Sequence, residues 1–120
     1  MDLSIKHESW GAGDQTWIGS RHGTNNAQTV TLDVASFSAF DDTIPSGVPL
    51  KRLESGRYAP VSDAGDTLAG FLFTDQPNTG TVQVAPMLWH GLIRVANLPE
   101  GAFDVSTLTA GNPAFVYKED

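Results

Sequence analysis

Between residues 28 and 118 the chain changes character every few positions, and apolar side chains recur with a period of two. Thr29-Val30-Thr31-Leu32-Asp33-Val34 sets Val30, Leu32 and Val34 on one face and polar groups on the other, the signature of a half-buried strand. Thr81-Val82-Gln83-Val84-Ala85 alternates in the same way. Leu68-Ala69-Gly70-Phe71-Leu72-Phe73 is apolar throughout and predicts a strand buried on both faces, with Gly70 at a bulge or a close backbone approach. Leu88 to Val95 predicts a longer strand bulged at Gly91, and Ala114-Phe115-Val116-Tyr117 a short one after Pro113. Leu50–Leu53 and Arg57–Val61 flank Glu54-Ser55-Gly56, which predicts a hairpin with glycine where a positive φ is wanted.

Turn chemistry separates these runs. Ile44-Pro45-Ser46-Gly47 has proline and glycine at the second and fourth positions of a turn, and 62–66 and 76–80 are polar loops. Ala35–Phe40 and Val105–Ala110 predict helices of one or two turns, the second capped by Asp104 or Ser106 and stopped by Gly111. With 12 glycines and 7 prolines scattered through 120 residues, long helices are excluded. The expected fold is mostly β: a small sandwich or barrel-like domain of six or seven short strands with one or two short helices.

Residues 1–27 break the pattern. Glycines stand at 11, 13, 19 and 23, no period is sustained, and yet Leu3, Ile5, Trp10, Trp17 and Ile18 are large apolar groups. A solvated linker lacks such groups. The division predicted is a flexible or extended N-terminal arm over 1–27 and a β-rich domain over 28–120. These five apolar residues are anchors for a partner surface, or else Trp10 and Trp17 are folded back on the chain's own domain.

Composition narrows the chemistry. Seven basic and 14 acidic side chains give a net charge of −7, which argues against general affinity for nucleic acid, since that needs clustered cations. No apolar stretch approaches the ~20 residues that span a bilayer, so no membrane partner is expected, and residues 1–8 do not read as a secretory leader. Without cysteine there is no thiolate site, and His7, His22 and His90 are not at metal-ligand spacing. Asp63-Ala64-Gly65-Asp66 reads as an Asx turn rather than a calcium loop, and Asp41-Asp42 as a solvated loop end. With no catalytic constellation, metal or cofactor site legible, the chain does not read as an enzyme.

The order of several short motifs is more specific. Ile44-Pro45-Ser46-Gly47-Val48-Pro49-Leu50-Lys51, Gly56-Arg57-Tyr58-Ala59-Pro60-Val61, Leu68-Ala69-Gly70-Phe71-Leu72, and Leu88-Trp89-His90-Gly91-Leu92-Ile93-Arg94 followed by Leu98-Pro99 and Gly101 succeed one another across about residues 28–117. This sequence of turns and strands resembles the capsid (head) decoration proteins of lambda-like tailed bacteriophages. The resemblance implies a small β-rich, non-catalytic virion protein made in the host cytoplasm. It implies homotrimers on the outer face of the expanded capsid at three-fold and quasi-three-fold positions, with an N-terminal arm ordering on the major capsid protein. On that reading Leu3, Ile5, Trp10, Trp17 and Ile18 are capsid-binding positions. Phe37, Phe40, Leu88 and Trp89, beyond what a small sandwich needs, are candidate trimer contacts, with ordinary core packing the alternative. Other classes that fit a small β domain are a ring-forming tail or adaptor component and a carbohydrate-binding module using Trp10, Trp17 and Trp89 as stacking platforms.

Overall fold

A computed structural model describes residues 14–19, 27–78 and 83–118. Among them are nine strands: β1 Gln28–Leu32, β2 Thr43–Ile44, β3 Pro49–Arg52, β4 Tyr58–Pro60, β5 Gly70–Leu72, β6 Gln76–Pro77, β7 Gln83–Leu88, β8 Gly91–Arg94 and β9 Phe115–Lys118. Single 3-10 turns occupy Val34–Phe37, Val95–Asn97 and Val105–Thr107. Among the described residues helical structure is confined to such turns, where glycine, proline and β-branched residues interrupt longer runs.

Five strands close into a barrel in the order β1-β4-β3-β5-β7. β7 returns antiparallel to β1 with Gln28 opposite Met87 and Leu32 opposite Gln83, while β1 and β4 meet at the single parallel pair Leu32–Tyr58. Closure leaves no long unpaired edge in this sheet. β2 pairs with β6, and β8 pairs in parallel with β9, as two small sheets outside the barrel. The architecture is therefore the mostly β, barrel-like domain that the alternation predicts.

Two apolar clusters fill the molecule. One gathers Val30, Leu32, Val34, Phe37, Ile44, Val48, Leu50, Tyr58, Leu72, Ala85 and Met87; the other gathers Trp17, Val61, Leu68, Phe71, Leu88, Ile93, Val105 and Phe115. Successive side chains of a strand point to opposite faces. Phe71 and Leu72 of β5, like Leu88 and Met87 of β7, accordingly divide between the two clusters. All three residues of β5 are buried because the strand separates the two cores, which is why its sequence is continuously apolar. Gly70 sits where a Cβ would lie 2.5 Å from the Leu88 carbonyl oxygen and 2.8 Å from Met87 Cγ, so it is the close-approach position expected of it.

The run Leu88–Val95 is not one bulged strand. β7 ends at Leu88, the chain turns at Trp89-His90, and β8 begins at Gly91 in a different sheet, with Val95 already in a 3-10 turn. An apolar run records burial but not which sheet is joined. The hairpin of β3 and β4 does form, with Arg52 opposite Tyr58 and Gly56 at φ +90°. Asp104 is the cap of the Val105–Thr107 turn, accepting the Ser106 N–H. Thr81 and Val82 lie outside the described residues.

The 62–66 turn closes on Asp66. Its Oδ2 accepts the Ser62 and Asp63 N–H groups at 3.0 and 3.1 Å and pairs with Lys51 Nζ at 3.0 Å. The Ser62 hydrogen bond is the largest of the effects that hold this carboxyl below its ordinary pKa. A depressed folded-state pKa means that the stabilisation is present above the unfolded value of about 3.9 and disappears as pH falls through the lower folded value. Asp66→Asn is expected to cost about 1 kcal/mol at pH 7, a modest figure because the pair is partly solvated. It should also reduce the acid sensitivity, as read from urea midpoints measured between pH 2 and pH 7.

Candidate functional site

Asp14–Gly19 is a strap bound to the barrel's second core, and its geometry begins with a local turn. Asp14 Oδ1 accepts the Thr16 N–H at 3.0 Å and the Thr16 hydroxyl at 2.7 Å, and these bonds lower the Asp14 pKa. The turn is an Asx motif that lines the following residues up with β8. Ile18 bridges antiparallel to Ile93, flanked by bonds from Gly19 N–H to Leu92 O and from Arg94 N–H to Trp17 O, both 2.7 Å. Gly19 permits this approach, because a Cβ there would stand 2.6 Å from Leu92 Cγ.

Trp17 is completely buried. Its ring centroid lies 5.6 Å from that of Phe71, which in turn meets Phe115 edge-on at 5.0 Å. The indole Nε1–H donates to Ser46 Oγ at 3.0 Å, and the Ser46 hydroxyl passes its own hydrogen to the Phe73 carbonyl at 2.7 Å. The Ser46 N–H is held by Asp75 Oδ1 at 2.7 Å. Ser46 is buried, and its N–H and hydroxyl and the Gly47 N–H all have partners, as burial requires. Gln15 Nε2 reaches the same Phe73 carbonyl at 2.6 Å, and Asn97 Nδ2 donates to Thr16 Oγ1 at 3.2 Å. Gly47 closes the socket: a Cβ on it would lie 2.7 Å from Pro99 Cδ and 3.0 Å from Trp17 Cδ1 and Nε1. The Ile44–Gly47 turn and the Gly91–Pro99 stretch, remote in sequence, thus converge on one indole.

This placement corrects the division of the chain. Trp17 is not available to a partner, and Ile18, half-buried, packs against the second cluster, so residues 14–19 belong to the domain and not to an arm ending at 27. A ring that large buries more area in a preformed aromatic cluster than a solvated segment could leave exposed without penalty. Leu3, Ile5 and Trp10 lie outside the described residues.

The suggested trimer contacts also divide. Phe37 and Leu88 are core residues, 0% and 1% exposed, because their strand or turn points them inward; they are not surface contacts. Phe40 is half-buried with its ring 6.2 Å from Phe37, and Trp89 is 43% exposed with its ring edge-on to His90 at 4.1 Å.

Ser46, Gly47, Ile93, Asn97 and Pro99 were not singled out by the sequence as parts of a site. The available signal was the buried-turn composition of Ile44–Gly47, which reads as a simple loop until something is placed against it. Among the described residues no group of three His, Asp or Glu side chains could hold a metal ion. No helix among them is long and apolar enough to cross a membrane. An open groove of about 360 Å³ lined by Val95, Leu98, Pro99, Phe103 and Asp104 adjoins the strap's Asn97 contact. Its one carboxylate, Asp104, is engaged as a helix cap.

No protein-family model matches the chain, and no curated protein matches it. The arrangement holds residues 14–19 against the second cluster through backbone and side-chain bonds.

Proposed function

We propose that this chain is a non-catalytic capsid decoration protein that binds as trimers at three-fold and quasi-three-fold positions on the outside of an expanded phage head. Residues 1–13, not 1–27, are the segment that docks on the major capsid protein. The observation carrying this reading is the convergence at Trp17. The Ile-Pro-Ser-Gly turn and the Gly91–Pro99 stretch, two of the motifs behind the resemblance, together build the socket in which the segment preceding β1 is rooted.

The physics suits a cementing role. A trimer at the meeting point of three shell subunits engages them together, and once one segment is docked the others bind intramolecularly, raising avidity by roughly 10²–10⁴. An extended segment can add a strand to a shell sheet, with main-chain bonds supplying affinity and Leu3, Ile5 and Trp10 supplying burial. A net charge of −7 keeps the free protein soluble and away from packaged DNA. Phe40 and Trp89 are the remaining candidates for contacts between copies.

The test is co-sedimentation with expanded, undecorated phage heads, comparing the full chain with one lacking residues 1–13. The full chain should pellet with the heads to saturation, and the truncated chain should lose at least tenfold in apparent affinity while keeping its melting temperature. Absence of pelleting by the full chain would overturn the decoration reading; equal pelleting by both chains would remove the docking role from residues 1–13.

A further inference from the structure

We infer that residues 14–19 are a locked strap: they leave the body only when its second core comes apart, so that any pull on residues 1–13 is resisted by that core. The use of such a device rests on the docking role proposed above, but the lock is a property of the isolated protein. Its ties reach four separate places. The backbone bonds from Gly19 to Leu92 and from Arg94 to Trp17 hold β8. The indole holds the Ser46 turn. Gln15 holds the carbonyl of Phe73 just beyond β5, and Thr16 is held by Asn97 of the 95–97 turn.

These ties do not open one at a time without consequence. Withdrawing the indole empties the space between Phe71, Gly47 and Pro99, and packed interiors do not close over a void of that size. It also removes the donor to Ser46 Oγ in a buried turn, and the unmet acceptor opposes opening further. A segment merely tethered by a flexible linker would let the body swing and would fray at its root. A strap whose opening is coupled to the core instead ties the grip of residues 1–13 to the stability of the domain.

Native-state hydrogen exchange on the full chain, with no phage head present, reads this directly. The Gly19 and Arg94 amides report the strap; the Val61 amide, bonded to Pro49 O, reports the second core, and the Leu72 amide, bonded to Val48 O, the first. The expected result is protection of Gly19 and Arg94 within tenfold of Val61. Trp17→Phe, which keeps a ring and removes the Nε1–H, should speed exchange of both strap amides at least tenfold. Protection of Gly19 and Arg94 more than tenfold below that of Val61 in the unaltered chain would overturn the lock, as would strap amides indifferent to Trp17→Phe. Failure here leaves shell binding by residues 1–13 open to its own test, and failure of that binding leaves the exchange result standing.

Discussion

Trp17→Ala is expected to lower stability by about 3–5 kcal/mol, the range for removing a large aromatic from a packed core. For a domain of this size that is a fall in melting temperature on the order of 10–20 °C. Three losses combine. The indole's apolar area returns to water, a cavity opens beside Phe71, and the Ser46 hydroxyl loses its donor while remaining buried. Thermal melts followed by circular dichroism measure the total. Ser46→Ala separates one part of it, since that change removes the acceptor of Trp17 Nε1 and the donor to Phe73 O but leaves the ring in place. Its cost should be about 1–3 kcal/mol. A Trp17→Ala protein that melts within 2–3 °C of the unaltered chain would mean that the indole is not part of the core, and would return Trp17 to the set of partner anchors.

The same residue shows where sequence reading stops. Alternation at Thr29–Val34, the apolar run Leu68–Phe73 and the Gly56 hairpin are local signals: β1 formed at Gln28–Leu32, with Val34 already in the next turn, β5 at Gly70–Leu72 inside its run, and the hairpin where its pattern lay. Trp17 carries no local signal. Its partners are Ser46, Phe71 and Ile93 with Arg94, contributed by three other parts of the chain, and glycines at 11, 13, 19 and 23 around it look like linker composition. Gly19 is in fact a packing residue, needed because Leu92 crosses it, and glycine looks the same in a sequence whether it serves mobility or close contact. Leu88–Val95 misled for a related reason. β7 ends in the buried Leu88 and β8 buries only Ile93, and the change from barrel to outer sheet at Trp89-His90 is fixed by pairing with β1 and β5 on one side and β9 on the other. Phe37 was an apparent surplus aromatic only because the first cluster, which it helps to fill, is assembled from strands spread over nearly sixty positions, Val30 to Met87.

Gly47→Ala tests the other wall of the socket, and its expected cost is about 2–5 kcal/mol. Two penalties act together. Gly47 has φ +101°, a region that residues with a Cβ enter only under strain of about 1–3 kcal/mol. The new methyl would also stand 2.7 Å from Pro99 Cδ and 3.0 Å from the Trp17 ring, an overpacking worth about another 1–3 kcal/mol. Relief by turning the backbone is resisted, because the Gly47 N–H is bonded to Leu72 O at 2.7 Å and the neighbouring Ser46 N–H to Asp75. Gly56→Ala is the internal control. Its φ of +90° imposes a comparable backbone strain, but the nearest atom to its Cβ is the mobile end of Arg52 at 3.8 Å. The difference between the two variants in urea denaturation therefore isolates the contact with Trp17 and Pro99, and it should be at least 1 kcal/mol in favour of Gly56→Ala. Equal losses would show that Pro99 and the indole yield easily, and a socket that yields cannot hold a strap under load.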